Sequence, residues 1–259
     1  MSTENVSKIN YLMQSQPYGT VLLSSWLKDR GYSLDLQKRY KSSKWLESIG
    51  TGAMKRTGDR VEVEGAIFAL QKQLNLSIHV GGKSALAMLG RSHYLELDEK
   101  EVTLFGQATE KLPKWFSDYE WSSKLKYYRS GFIVGKVGLT DFDSKNFSIK
   151  ISGPVRAICE CLYLAPKEQS LLECYELMEG MNNLRPATVQ EILELCNSVK
   201  VKRLFLFMAE KAGHSWLKHV KCDKIDLGTG KRSIVPNGVY ISKYEITIPK
   251  ELADYGSGI

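Results

Sequence analysis

Residues 19–56 read GTVLLSSWLKDRGYSLDLQKRYKSSKWLESIGTGAMKR, a stretch in which two short helical patterns precede a glycine-rich turn. Leu23, Trp26 and Leu27 recur at the three-to-four spacing of one helical face. Gly31 is the expected stop of this first helix, because glycine tolerates the backbone that ends a helix. Ser33 is then a suitable N-cap for a second helix. The pattern predicts a pair of helices joined by a tight turn.

The second helix is predicted to have one apolar and one polar face. Leu36 and Tyr40 lie four residues apart and face inward together. Lys38 falls nearly opposite them, at about 100° per residue. Five further polar residues lie beside Lys38 or on the flanks of this face: Asp35, Gln37, Arg39, Lys41 and Ser42. The outer face is therefore polar and mostly cationic.

A cationic helix of this kind suits the major groove of DNA, where Lys and Arg reach guanine and Gln pairs with adenine. Trp45, Leu46 and Ile49 predict a strand, Gly50 to Gly52 a turn, and Ala53 to Arg56 a returning strand, which together form a wing against the phosphates. Helix-turn-helix pairs also occur in helical domains that do not bind DNA, where the charged face is simply solvated. The predicted DNA contacts are Ser33, Gln37, Lys38, Arg39, Lys41, Ser42, Lys44, Thr51, Lys55 and Arg56.

Composition and charge are those of a globular protein with a localised basic region. Apolar residues make up 43% of the 259 residues and charged residues 25%. The formal net charge is +6 over residues 1–95, −4 over residues 96–198 and +5 over residues 199–259. A basic N-terminal third supports polyanion binding, whereas the acidic middle is unlike a protein that coats nucleic acid. No apolar run is long enough to span a membrane and residues 1–16 lack the core of a signal peptide, so we expect a cytoplasmic protein with no membrane partner.

The rest of the chain predicts an α+β fold: an N-terminal winged helix-turn-helix domain, residues 1–92, and a mixed α/β domain, residues 93–259. In the first unit we expect helices over 5–14, 64–74 and 84–89, the last one capped by Ser84. Strand-like alternation occurs at 94–97, 102–105, 125–128 and 147–151, and residues 239–248 are expected to return to that sheet. Four helices are predicted between, over 155–164, 168–178, 188–196 and 201–212.

Signatures of catalysis or cofactor binding are weak, and we expect neither an enzyme nor a cofactor. Residues 81–84, GGKS, resemble the end of a phosphate-binding loop, but Ser77 stands where the motif needs glycine, which favours a glycine turn into a Ser-capped helix. Asp141 and Asp143 would suit a divalent metal, yet they fall in a predicted hairpin turn, where Asp is common for backbone reasons. The five cysteines lack a C-x-x-C pair, so no metal site is expected.

A second basic region begins at Lys200. Lys200 and Arg203 are three residues apart and can share one helix face with Lys202 nearby. Two interpretations stay open: these residues make auxiliary contacts to DNA phosphates, or they form a solvated surface, which is slightly favoured.

With the helix pair and hairpin in view, the chain resembles the AbiEi family of antitoxins from type IV toxin-antitoxin systems. Four segments carry the resemblance, in the same order: residues 14–56; EGAIFALQKQLNLSIHVGGKSALAMLG (64–90); FSIKISGPVRAICECLYLAP (147–166) together with ELMEGMNNLRP (176–186); and VKVKRLFLFMAEKAGH (199–214). The likeness spans about residues 14–249.

This resemblance implies a bacterial transcriptional autorepressor of an abortive-infection, phage-defence system. Its winged helix-turn-helix would bind inverted repeats of double-stranded DNA in its own promoter, with residues 33–43 as the base-reading helix and 48–56 as the wing. Its C-terminal domain would counteract an AbiEii-like nucleotidyltransferase toxin. The alternative is an antitoxin that sequesters its toxin directly, with DNA binding secondary; the resemblance leaves direct contact open.

Overall fold

Residues 8–56 form three helices and a three-stranded antiparallel sheet. The computed structural model describes residues 7–91 and 101–255. The first elements are α1 (Lys8–Ser15), β1 (Leu22–Leu23), α2 (Ser24–Asp29), α3 (Leu34–Ser42), β2 (Leu46–Gly50) and β3 (Ala53–Arg56). The strands pair in the order β1-β3-β2. The hairpin predicted from residues 45–56 is therefore present, and β1 extends its sheet.

Local signals set these boundaries as the sequence predicts. Gly31 adopts a φ of +81°, in the left-handed region that lets the chain leave α2. Ser33 caps α3, since its hydroxyl accepts the Leu36 N–H at 3.3 Å. Gly52 turns the β2–β3 hairpin with a φ of +76°. A small apolar cluster holds the helices to the sheet: Leu12, Leu22, Leu27, Tyr32, Tyr40, Leu46 and Met54.

A five-stranded mixed sheet follows. Its elements and the helices around it are α4 (Val63–Lys72), β4 (His79–Val80), α5 (Gly82–Met88), β5 (Glu101–Gly106), α6 (Lys114–Asp118), β6 (Lys124–Arg129), β7 (Leu139–Asp143) and β8 (Ser148–Ser152). The strand order is β6-β5-β4-β8-β7. β4 pairs antiparallel with β5 and parallel with β8, so a two-residue strand joins the two halves of the sheet.

Strand pairing crosses the predicted domain boundary between residues 92 and 93. β4 comes before that boundary, and both of its partners come after it. The sequence missed β4 because only His79 and Val80 pair, and both are buried, which leaves no alternation to detect. The predicted strand over residues 94–97 lies outside the described residues. The two-domain division itself stays a prediction.

Helix α7 forms the centre of the C-terminal part. It spans Pro154–Leu164, is buried continuously from Val155 to Leu162, and contacts α5, α8, α9 and α10. It is followed by α8 (Leu171–Glu179), α9 (Pro186–Leu195) and α10 (Val199–Lys211). Each matches a predicted helix within about three residues at either end.

Two predictions for the strands are wrong. Residues 239–248 do not return to the main sheet: β10 (Val239–Ile241) and β11 (Ile246–Ile248) pair with β9 (Arg232–Ser233) in a separate sheet, before α11 (Lys250–Asp254). A turn ending at Glu245, with a φ of +49°, folds β11 back onto β10.

Asp141 and Asp143 lie in strand β7 rather than in a turn, and the Asp141 carboxylate accepts a hydrogen bond from the Lys150 ammonium at 2.7 Å.

Among the described residues, no helix is long and apolar enough to cross a membrane. In the same part of the chain, no group of three or more His, Cys, Asp or Glu side chains is placed to hold a metal ion.

Candidate nucleic-acid interface

Helix α3 has a buried side formed by Leu36, Gln37 and Tyr40. Tyr40 is 9% exposed and lies in the small apolar cluster, against which Leu36 packs. The inward face predicted from Leu36 and Tyr40 is therefore confirmed. It is wider than predicted, because it also includes Gln37.

Gln37 does not lie on the solvent side of α3, and its predicted role as a base contact is corrected. Its side chain is 3% exposed. Its amide nitrogen donates to the Tyr32 carbonyl at 2.8 Å and to the Ser24 carbonyl at 3.1 Å, while its amide oxygen accepts from the Ser24 hydroxyl at 2.6 Å. Gln37 thus fixes the angle between α2 and α3. Its spacing of three from Tyr40 is the signal that could have revealed this.

The centre of the exposed face of α3 is a line of Asp35, Lys38 and Ser42. These residues recur at spacings of three and four, so they stack along one side of the helix. All three are exposed. The Lys38 ammonium lies 3.7 Å from an Asp35 carboxylate oxygen, and the two side chains are 74% and 86% exposed. Lys38 and Ser42 were predicted contacts, whereas Asp35 was placed on this polar face but not among the predicted DNA contacts.

Two further cations flank this line. Lys41 lies toward the β2–β3 hairpin and lines, with Lys38, a cleft of about 160 Å³ between α3 and the hairpin. Arg39 is exposed about a quarter turn round the helix on the other side. Lys44 follows the helix, exposed and with a left-handed φ of +55°. Ser33 is exposed, but its hydroxyl is engaged in capping α3.

The hairpin carries fewer available cations than predicted. Thr51 is exposed at its tip, whereas Lys55 is half-buried, pairs with Glu47 at 3.0 Å and donates to the Asp59 carbonyl at 2.7 Å. Arg56 is 5% exposed, so its predicted role against phosphates is corrected. Its guanidinium donates to the carbonyls of Met13 and Gln16 and stacks on Tyr18. Arg56 ties the hairpin to the end of α1 and to the residues that follow it.

The second basic region is structural. Arg203 is 1% exposed and donates to four carbonyl oxygens and to the Glu245 carboxylate, while Lys202 is buried and donates to the Asp226 carbonyl. Lys200 is half-buried; its ammonium donates to the Tyr163 and Ala165 carbonyls, and burial lowers its pKa. Both interpretations from the sequence are therefore wrong for Lys202 and Arg203, which neither contact phosphates nor form a solvated surface. Polar groups between Asp226 and Glu245 cover them.

The loop that resembles a phosphate-binding motif is already occupied by a protein carboxylate. Gly82 follows β4 and opens α5, and its N–H donates to Glu160 at 2.9 Å. Ser84 does not cap α5; its hydroxyl donates to the Glu101 carbonyl and accepts the Thr103 N–H. Lys83 pairs with Glu173. Glu160 takes the place that a phosphate oxygen would need.

Glu160 is the acceptor of a buried network. One carboxylate oxygen accepts from Gly82 N–H and from the Ser152 hydroxyl at 2.7 Å; the other lies 3.0 Å from Arg156 Nε and 3.1 Å from His79 Nε2. Burial by itself raises the pKa of the Glu160 carboxyl, but the bonds to His79, Arg156 and Ser152 outweigh it, so that the pKa is below its ordinary value. The network joins β4 and α5 to α7.

Comparison with protein families covers both parts of the chain. Residues 99–249 match the family described as "Transcriptional regulator, AbiEi antitoxin, Type IV TA system", and residues 5–97 match its "AbiEi antitoxin N-terminal domain". The chain belongs to the AbiEi antitoxin family. It is thus a transcriptional regulator and antitoxin of a type IV toxin-antitoxin system, and the resemblance drawn from the sequence is confirmed.

The fold of this antitoxin is similar to that of a solved structure. The RV2827C protein from Mycobacterium tuberculosis superposes with a TM-score of 0.56 at 10% sequence identity, over 93% of this chain and 89% of that one. The similarity extends over both family segments. Among curated proteins no match is found.

Proposed function

We propose that residues 8–56 form a winged helix-turn-helix and that the antitoxin uses it to bind inverted repeats in the promoter of its own operon. The observation that carries the proposal is the exposed face of α3, where Lys38 and Ser42 lie on the centre line and Arg39 and Lys41 on the flanks. A helix in the major groove reads bases with its centre and contacts phosphates with its flanks.

The proposed interface is smaller than the set of residues predicted from the sequence. It comprises Lys38, Arg39, Lys41, Ser42, Lys44 and Thr51. Ser33 contributes to it by holding the N-terminus of α3. Lys55 is a peripheral member, because Glu47 already neutralises its charge. Gln37, Arg56 and the Lys200–Arg203 region serve the fold.

A gel shift with the DNA upstream of the operon tests this proposal. Lys38→Ala combined with Arg39→Ala should weaken binding on the order of ten- to a hundred-fold, because one base contact and one phosphate contact are lost. The matched control is Lys218→Ala with Lys224→Ala, which removes the same charge at two exposed lysines late in the chain. If the α3 variant binds as tightly as wild type, the assignment of α3 is wrong.

The salt dependence of binding separates the two kinds of contact. Lys41→Ala should lower the slope of log affinity against log salt by about 1, since one phosphate contact releases about 0.9 counterions. It should also weaken all duplexes by similar factors. An unchanged slope would remove Lys41 from the set of phosphate contacts.

We further propose that the part of the chain after residue 92 counteracts a nucleotidyltransferase-like toxin independently of DNA binding. The proposed DNA contacts all lie between Ser33 and Lys55, which leaves the C-terminal helices available for this second task. The full chain carrying Lys38→Ala and Arg39→Ala, expressed from an unrelated promoter, should still protect cells from the toxin. Loss of protection in this variant, with the control variant protecting, would show that antitoxicity needs DNA binding.

A further inference from the structure

Asp35 is an acidic residue at the centre of the α3 face that is proposed to meet DNA. Its side chain is 86% exposed and lies beside Lys38 on the centre line of α3. This line is opposite the buried side, because Lys38 is two residues, or about 200°, from both Leu36 and Tyr40. In the groove, Asp35 would face base edges rather than the phosphate backbones.

A carboxylate at this position weakens DNA binding unless it accepts a hydrogen bond from a base. A carboxylate near phosphates is repelled by them, so it weakens non-specific binding. In the major groove, cytosine N4 is the hydrogen-bond donor that Asp and Glu accept from, and guanine O6 and N7 are the acceptors that Lys donates to. Both groups belong to the same C·G base pair. The major-groove edge of a C·G base pair thus offers a hydrogen-bond donor to the Asp carboxylate and acceptors to the Lys ammonium when Asp and Lys lie side by side.

The free protein already holds the two side chains together. The Lys38 ammonium and the Asp35 carboxylate are 3.7 Å apart, and in the part of the chain that the structure describes no other hydrogen bond or ion pair is recorded for either side chain. The Asp35–Lys38 contact is exposed and screened by water, so it is weak and breaks readily when each side chain can bind a base instead. The neighbouring cations Arg39 and Lys41 lie on the flanks, where they meet phosphates and offset the repulsion of Asp35.

We infer that Asp35 and Lys38 together read one C·G base pair of the operator, Asp35 at cytosine and Lys38 at guanine. The inference rests on the proposed function. Asp35 then determines specificity in two ways: it raises the affinity for duplexes with cytosine at one position, and it lowers the affinity for duplexes with no hydrogen-bond donor there. In a site of inverted repeats, the same base pair occurs once in each half-site, at symmetric positions.

Selection from a library of randomised duplexes, followed by competition gel shifts with every single-base-pair variant of the preferred site, tests this with the full chain. The wild type should prefer C·G at one position of each half-site by roughly ten- to a hundred-fold. Asp35→Ala should reduce that preference below about threefold while binding non-specific duplex more tightly. Asp35→Asn should move the preference toward adenine, which Asn recognises through N6 and N7.

The Asn variant excludes a purely structural role. Asp35 also stabilises the N-terminus of α3 through the helix dipole, and loss of that effect would weaken binding without changing the preferred base. Asp29→Ala is the matched charge control: this exposed acid on α2 is outside the α3 centre line, so its loss should raise non-specific affinity and leave base preference unchanged.

The outcomes separate this inference from the proposed function. Sequence-selective binding with an unchanged preference in Asp35→Ala and Asp35→Asn overturns the reading of C·G by Asp35 and leaves the proposed function standing. Absence of any selective binding by the wild type overturns both. Thermal melting confirms that each variant is folded before it is compared.

Discussion

Removing the buried carboxylate of Glu160 should destabilise the antitoxin far more than removing a carboxylate from an ion pair at its surface. Four groups converge on it: Gly82 N–H, the Ser152 hydroxyl, Arg156 Nε and His79 Nε2. Glu160→Gln keeps the volume but replaces one accepting oxygen with an NH2 group and leaves Arg156 without its counter-charge. Breaking a buried pair in this way costs about 3–5 kcal/mol. The single oxygen of Gln can serve only one side of the site, so either Gly82 N–H and the Ser152 hydroxyl or Arg156 and His79 lose their acceptor.

Urea unfolding followed by circular dichroism measures the effect. Against a total stability on the order of 5–15 kcal/mol, a loss of 3 kcal/mol moves the midpoint clearly. The matched control is Glu173→Gln, which removes the carboxylate of the half-exposed pair with Lys83 and should cost about 0–1 kcal/mol. A Glu160→Gln variant that loses no more than this control would refute the reasoning.

The pH dependence gives an independent check on the same residue. The folded pKa of Glu160 is lowered from its ordinary value of 4.5. A lowered folded pKa means that the ionised carboxylate stabilises the fold fully above pH 4.5 and that this stability is lost as the pH falls through the folded pKa. The difference between wild type and Glu160→Gln should therefore be constant near neutral pH and narrow only below about pH 4.5. A difference that grows on acidification would contradict this assignment.

Three other results are expected. Gln37→Ala should lower the free energy of unfolding by about 1–3 kcal/mol, because the Tyr32 and Ser24 groups lose their buried partner; a urea midpoint equal to wild type would exclude this. Gly65→Ala should cost about 1–3 kcal/mol in thermal melts, since a Cβ would overlap the Gly19 carbonyl oxygen; an unchanged melting temperature would show that the two segments separate freely. Of the five cysteines, Cys222 alone is exposed, so a thiol reagent should label one site quickly in the native protein and all five after denaturation; rapid labelling of a second native thiol would contradict the buried positions of the others.

The sequence by itself predicted most of the individual elements. Gly31, Ser33 and Gly52 act through their own backbone and nearest neighbours, so their roles in ending α2, capping α3 and turning the hairpin follow from local chemistry. Apolar spacing predicted α3 and the helices α7 to α10 for the same reason. Four segments in the same order also predicted the family, without any structure.

Only the tertiary structure decided which polar residues are available to a partner. Gln37, Arg56 and Arg203 look like surface residues in the sequence, yet each is buried by another part of the chain: Gln37 by α2, Arg56 by the end of α1 and the residues after it, and Arg203 by residues 227–245. The same holds for Gly82, whose N–H is taken by Glu160, 78 residues later. Periodicity fixes which residues share a face of one element. Which face is covered depends on long-range packing, and in this chain that packing leaves Asp35, Lys38 and Ser42 exposed to solvent on the outer face of α3.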